Sequence, residues 1–259
     1  MGGDRRERVV VKLGGETLDD QHATLRGVAD ITATHRPVIV HGGGKRLSAW
    51  LARLGIESAW HEGRRITDAA ALEVAVAVLG GVVNAQLVAA LVGLGVDAVG
   101  CTGIDAGLLV AARVPELGRV ARITGARTGP LEALLAAGLV PVVAPLALDA
   151  AGEICNVNAD EVAGGLAAAL TARLVLLTDT SGVLDASGAV VSDLDAAAVE
   201  SMIAAGVISG GMIPKVRTAI AVLEAGSPEV VIADGRGPDA LRRALEDRTY
   251  GTRLRRSTN

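Results

Sequence analysis

Apolar residues along this chain recur with two different periods. Short, nearly continuous apolar runs at 8–13, 37–40, 96–100, 140–144, 173–178 and 230–233 read as strands buried on both faces. Between them, apolar positions spaced three to four apart predict helices over 20–34, 45–54, 131–137, 160–170, 194–205, 214–225 and 239–245. A longer Ala/Val/Leu helix is expected over 67–94, with a break at Gly80-Gly81. Residues 107–113 and 118–124 suggest an antiparallel hairpin, and 153–156 a short strand. Regular alternation of strand and helix predicts a three-layer α/β/α sandwich around a mainly parallel central sheet. No linker interrupts the pattern, so the two halves are expected to share one sheet, with a boundary near 170–175 that separates an N-terminal lobe (1–172) from a C-terminal lobe (173–259).

Composition narrows the classes open to such a fold. The 259 residues are 50% hydrophobic with a mean hydropathy of +0.43. No apolar run reaches the roughly 18 uninterrupted residues of a membrane span, and the charged N-terminus lacks a signal-peptide core. A cytoplasmic protein without a membrane partner is the expectation. Trp50, Trp60 and Tyr250 are the only aromatics, too few for stacking on single-stranded nucleic acid. The arginines at 242, 243, 248, 253, 255 and 256 are interrupted by Glu246 and Asp247 in a chain of net charge −4, and read as a solvated helix and tail, so no nucleic-acid partner is expected. Cys101, Cys155 and the four histidines show no metal-ligand spacing.

Of 25 basic residues, only Lys12, Lys45 and Lys215 are lysines. Because Arg and Lys serve a solvated surface almost equally, each surviving lysine is a candidate for a specific task. Lys12 ends the first strand directly before Gly14-Gly15, and Lys215 begins a helix just after Gly210-Gly211. A third glycine run, Gly42-Gly43-Gly44, follows the second strand. Such loops bring backbone N–H groups close to an anion, although tight β-α turns demand the same residues. Lys45 is followed by Arg46, which excludes a Walker A motif, and no Gly-x-Gly-x-x-Gly opens a helix after a strand. Two lysines beside glycine loops of opposite halves suit transfer of a phosphoryl group across a cleft, a reaction that needs positioning and cationic stabilisation. Asn156-Val-Asn-Ala-Asp160 precedes a helix; there Asp160 is either a helix cap or an acid that fixes the lysine ammoniums.

Taken together, Val10-Val-Lys-Leu-Gly-Gly15, Val40-His-Gly-Gly-Gly44, Arg65-Ile-Thr67, Asn156-Val-Asn-Ala-Asp160, Leu176-Leu-Thr-Asp179 with Ser181-Gly-Val-Leu184, and Gly210-Gly-Met-Ile-Pro-Lys215 resemble the amino acid kinase family, in order over essentially the whole chain. Within the family the likeness is to the branch that acts on N-acetyl-L-glutamate. It implies ATP-dependent phosphorylation, with Mg²⁺, of the γ-carboxylate of that small molecule in arginine biosynthesis, by a homodimer. Residue by residue it implies that Lys12 and Lys215 stabilise the transferring group from the acceptor and nucleotide sides, and that Asp160 orients both. Gly14, Gly15, Gly43, Gly44, Arg65 and Asn156 would bind the acyl substrate in the N-terminal lobe, Arg65 through its α-carboxylate. Asp179, Thr180, Ser181, Gly182, Val183 and Leu184, with Val207, Ile208 and Ser209, would bind the nucleotide in the C-terminal lobe; no protein metal ligand is implied. Members inhibited by arginine resemble this chain with an additional N-terminal helix, so strong arginine inhibition is not expected.

Three positions depart from the family pattern: Ile104 and Ala106 replace the usual Lys and Gly, and Glu16 stands where a small or amide residue is common. The first two also resemble kinases of carrier-linked aminoadipate or glutamate in lysine biosynthesis. A catalytically silent nucleotide-binding member is a third reading, which the intact Lys12, Lys215 and Asp160 oppose.

Overall fold

The computed structural model describes residues 6–14, 22–61 and 64–256. Gly15 and Glu16 lie outside the described residues. The chain begins with β1 (Glu7–Leu13), α1 (His22–Ile31), β2 (His35–His41), α2 (Gly44–Arg53), the short strands β3 (Trp60–His61) and β4 (Arg64–Arg65), α3 (Ala69–Ala75) and α4 (Asn84–Gly93). It continues through β5 (Ala98–Thr102), β6 (Leu109–Arg113), β7 (Val120–Ala126), α5 (Gly129–Ala136), β8 (Val140–Ala144), β9 (Leu146–Asp149), β10 (Ile154–Val157) and α6 (Ala159–Ala169). It ends with β11 (Arg173–Thr178), β12 (Asp193–Leu194), α7 (Ala196–Ala204), α8 (Met212–Glu224), β13 (Val230–Asp234), α9 (Ala240–Glu246) and β14 (Thr252–Leu254).

Eight strands form one sheet in the order β12-β14-β13-β11-β1-β2-β8-β5. All neighbours are parallel except β13 and β14. Strands from both halves meet at the β1–β11 pair, where Lys12 is in register with Leu176. Alternate side chains enter opposite cores, which explains why the strands read as continuous apolar runs. Val10, Val38, Leu174 and Ile232 pack against α5, α6, α7 and α8, whereas Val9, Val11, Ile39 and Val175 pack against α1, α2, α3, α4 and α9. The predicted hairpin is β6–β7, and with β9 and β10 it closes into a four-stranded barrel beside the main sheet.

Three local expectations need correction. Gly80-Gly81 does not break the long helix: Ala69 to Gly93 is continuous, with a π-helical turn at Val76–Val83. Two glycines cost helix stability of only about 1 kcal/mol each, and Val78, Leu79, Val83 and Leu87 are buried on the sheet. This 25-residue helix, of mean hydropathy 2.1 over its most apolar window, is long and apolar enough to cross a membrane, so the expectation that nothing reaches spanning length is amended. Its inner face belongs to the protein core. The C-terminal arginines are not all solvated: Arg253 lies on β14 and is 2% exposed, paired with Glu229. Finally, β3, β4, β9, β12 and β14 carry too few residues for a period to register.

Candidate active site

The C-terminal ends of β1, β2 and β11 and the N-termini of α2, α6 and α8 face one region of the molecule, where a parallel sheet places its ligand-facing loops. At its centre one carboxylate bridges two ammoniums. Lys12 Nζ lies 2.9 Å from Asp160 Oδ1, and Lys215 Nζ lies 2.8 Å from Asp160 Oδ2. Asp160 is not the helix cap; Asn158 is, its Oδ1 accepting from the Asp160 backbone N–H at 2.8 Å. That frees the Asp160 side chain, in the first turn of α6, for the lysines. Burial pushes the Asp160 carboxyl upward, and the charges of Lys12 and Lys215 outweigh it, so the group is held below its ordinary value. Gly14 sits against this pair: a Cβ there would lie 2.3 Å from the Leu177 carbonyl oxygen and 3.1 Å from Lys12 Nζ, a space only glycine leaves open.

Beside the triad is a cavity of about 180 Å³ lined by Gly42, Gly43, Gly44, Arg65, Asn156 and Asn158 among others. Arg65, on the β3–β4 hairpin, is 5% exposed and has no carboxylate partner among the described residues. Its Nη1 donates to Ser58 Oγ, its Nη2 to Ser48 Oγ at 2.6 Å and to the Gly44 carbonyl at 3.2 Å, and Trp60 covers one face at 4.4 Å. Burial lowers the Arg65 pKa, the signature of a guanidinium short of an anion. Its neighbour Arg64 is already paired with Glu161. Asn156 Nδ2 donates to Thr67 Oγ1 at 3.3 Å. Among the described residues the lining thus carries two guanidiniums and two carboxamides but no carboxylate, a setting for an anion without a positive charge of its own.

The other predicted positions fall on two loops. Asp179, Thr180 and Ser181 are exposed after β11; Gly182 and Val183 turn inward, Val183 N–H donating to Thr252 Oγ1, and Leu184 is 42% exposed. Val207, Ile208 and Ser209 connect α7 to α8, with Ile208 in the core. Ile104 and Ala106 occupy a turn that contributes nothing to the cavity lining. Ser48, Ser58, Trp60 and Asn158 were not found from sequence. Two of these left a signal, Trp60 as one of three aromatics in the chain and Asn158 within the Asn156–Asp160 block. Cys101 and Cys155 are free, and burial pushes both thiols up, Cys101 to about 12, away from nucleophile chemistry.

The ordered blocks of glycine loops, the two lysines and their shared aspartate agree with a match of the amino acid kinase family profile to residues 7–234. The chain belongs to the amino acid kinase family. Acetylglutamate kinase from Cereibacter sphaeroides is 46% identical over 255 residues, covering 95% of this chain and 87% of that protein. Among solved structures, a Streptococcus mutans UA159 protein superposes with a TM-score of 0.80 at 26% identity, covering 96% of this chain and 98% of that one. N-acetylglutamate synthase from Neisseria gonorrhoeae, complexed with coenzyme A and N-acetyl-glutamate, superposes with a TM-score of 0.84 at 23% identity, and this chain spans 60% of it. The α/β sandwich predicted from the periodicity is the amino acid kinase fold.

Proposed function

We propose that this amino acid kinase transfers the γ-phosphoryl group of ATP to the γ-carboxylate of N-acetyl-L-glutamate, giving N-acetylglutamyl 5-phosphate for arginine biosynthesis. The observation that carries the reading is Arg65, a buried guanidinium without a counter-ion among the described residues, in a cavity whose described lining holds no carboxylate and which adjoins the Lys12–Asp160–Lys215 centre. A free α-ammonium would find no negative partner among the described lining residues, whereas an acylated nitrogen is neutral and the α-carboxylate pairs with Arg65. The 46% identity to an acetylglutamate kinase agrees with this choice of acid. Ile104 and Ala106, which resembled the carrier-linked kinases, lie outside the cavity lining and give that alternative no support from the site.

In this reading a γ-carboxylate oxygen forms the new bond to phosphorus as the bond to the β,γ-bridging oxygen breaks, the electron pair leaving on ADP. Lys12 and Lys215 face the non-bridging oxygens, which gain charge demand in the transition state, and Asp160 holds both ammoniums in place. Gly43 and Gly44 offer N–H donors at the start of α2, and Gly14, Gly15 and Asn156 complete the acceptor side. Asp179 to Leu184 and Val207 to Ser209 form the nucleotide side, so the lobes 1–172 and 173–259 divide acceptor from donor. Among the described residues no three acidic, His or Cys side chains cluster as a metal site. Asp160, already shared by two lysines, fits a Mg²⁺ that arrives on the nucleotide phosphates, where it neutralises phosphate charge. We place the enzyme in the cytoplasm as a homodimer; the small outward residues Ala77, Gly81, Ala85 and Ala89 of the long helix suit a close helix contact. Trapping the product as a hydroxamate tests the activity: N-acetyl-L-glutamate should turn over with ATP. Turnover of a carrier-linked substrate alone would overturn the assignment.

A further inference from the structure

The proposed chemistry leaves one buried polar network unused, beneath the Gly42–Gly44 loop. His41 ends β2 and is 1% exposed; Asn84 begins α4 immediately after the π-helical turn and is 4% exposed. His41 Nδ1 lies 2.7 Å from the Gly42 carbonyl oxygen and Nε2 lies 3.1 Å from Asn84 Nδ2. A carbonyl oxygen only accepts, so Nδ1 must carry the proton and Nε2 must accept. The Asn84 amide is oriented by the same logic, because its Nδ2 also faces the Val142 carbonyl at 2.8 Å and that of Cys101 at 3.3 Å. Asn84 therefore ties together β2, β5 and β8. Its Oδ1 fills the space where a side chain at residue 100 would begin, since a Cβ there would lie 2.0 Å away. This gives Gly100 a reason that the strand pattern does not.

The loop above is held by its carbonyls. Gly42 O accepts from His41, Gly43 O from Leu47 N–H at 2.8 Å, and Gly44 O from Ser48 Oγ at 2.9 Å and Arg65 Nη2 at 3.2 Å. Gly43 and Gly44 stand at the cap and first position of α2, where backbone N–H groups have no intrahelical acceptor. With the carbonyls engaged, those N–H groups are left for the cavity that the three glycines line.

We propose that Asn84 is a positioning residue: by donating to Nε2 it fixes the His41 ring and, through the His41–Gly42 hydrogen bond, keeps the Gly42–Gly44 carbonyls turned away so that the loop N–H groups serve the anion in the acceptor cavity. Burial, opposed by the Gly42 hydrogen bond, lowers the His41 pKa to about 4, which agrees with a neutral ring. The π-helical turn has a purpose here, since it sets the rotation at which α4 presents Asn84 to His41. The inference rests on the proposed role of this loop in phosphoryl transfer.

Long-range ¹H–¹⁵N spectra of the intact protein, which has four histidines, test it directly. His41 should show a protonated Nδ1 and a bare Nε2 at pH 7; the Nε2–H form would overturn the inference. In Asn84→Ala the Gly42 carbonyl still requires Nδ1–H, so the tautomer should persist while the Nε2 resonance shifts with the loss of its donor, and kcat should fall about tenfold, a fraction of the loss when an oxyanion donor is removed outright, with KM for ATP within about twofold. Gly100→Ala, which keeps both polar residues but displaces the amide, should reproduce both effects. A folded variant with an unchanged Nε2 resonance or unchanged kcat refutes the role, and if neither variant folds the wild-type tautomer decides. Lack of turnover of N-acetyl-L-glutamate by the wild type would instead defeat the proposed function, while the tautomer assignment stands or falls on its own spectra.

Discussion

Asp160→Asn removes one negative charge and leaves two ammoniums facing each other. In the native site the two carboxylate oxygens contact Lys12 and Lys215 at 2.9 and 2.8 Å, with 11% and 22% of those side chains exposed. Breaking a buried ion pair by deleting one partner costs about 3–5 kcal/mol. The partial exposure of Lys215 screens its share, which puts the expected loss near the lower end, about 3 kcal/mol. For a chain of this size that corresponds to a fall in Tm of roughly 6–12 °C. The catalytic effect should be larger, because both cationic centres lose their common anchor; misplacement of groups that act only in the transition state predicts a drop in kcat of about 10³-fold. A more positive centre does not weaken attraction for phosphate, so KM for ATP should not rise. Scanning fluorimetry and hydroxamate kinetics read the two effects separately. The sign of the pH dependence follows from the lowered Asp160 pKa: its stabilisation is complete above the unfolded value near 3.8 and is lost as pH falls through the lower folded value. The difference in stability between wild type and variant should therefore stay flat from pH 5 to 8. A folded Asp160→Asn enzyme within tenfold of wild-type kcat would refute the reasoning.

Other perturbations test neighbouring claims. Lys12→Arg and Lys215→Arg keep the charge but should lower kcat by at least about 10²-fold, since a planar fork cannot occupy the ammonium position; turnover close to wild type would contradict the roles of both lysines. Arg65→Lys should raise KM for N-acetyl-L-glutamate by roughly 10-fold or more through loss of a bidentate pair while KM for ATP stays constant, as steady-state kinetics would reveal. Glu229 is buried and holds Arg173, Arg253 and Arg255, so Glu229→Gln should destabilise the fold by about 3 kcal/mol in chemical denaturation, without a change in KM for either substrate. His41, with a folded pKa of about 4 against 6.5 unfolded, stabilises the protein above pH 6.5 and loses that contribution as pH falls toward 4. Its share between pH 7 and pH 5 is about 2 kcal/mol, which denaturation of wild type and His41→Asn at the two pH values should expose as a difference.

Much of the architecture was legible because burial on both faces leaves a one-dimensional trace. The core strands and the helices between them appear in the sequence as runs and periods, and the α/β class follows from their alternation. Lys12 and Lys215 were legible for a chemical reason: in a chain that uses arginine nearly everywhere, two lysines beside glycine loops stand out. The helix at 67–94 was misread at Gly80-Gly81 because local propensity counts a glycine pair as a breaker, whereas packing of Leu79, Val83 and Leu87 on the sheet keeps the helix whole. Arg253 was misread because charge patterning cannot register a strand of three residues that pairs with β13 and buries its guanidinium against Glu229.

The division has a physical basis. Sequence by itself determined which residues must leave water and with what period, and therefore the strands, the helices and the loops that join them. Only tertiary structure decided what meets across those loops: that Asp160 turns from a cap into the bridge between lysines 203 positions apart in the chain, that Arg65 is enclosed by Ser48, Ser58 and Trp60 without a counter-ion among the described residues, and that Asn84 reaches His41 from a helix 43 residues downstream. Those contacts depend on the register of parallel strands and the rotation of helices against the sheet, which are set by packing between distant segments and leave no period of their own.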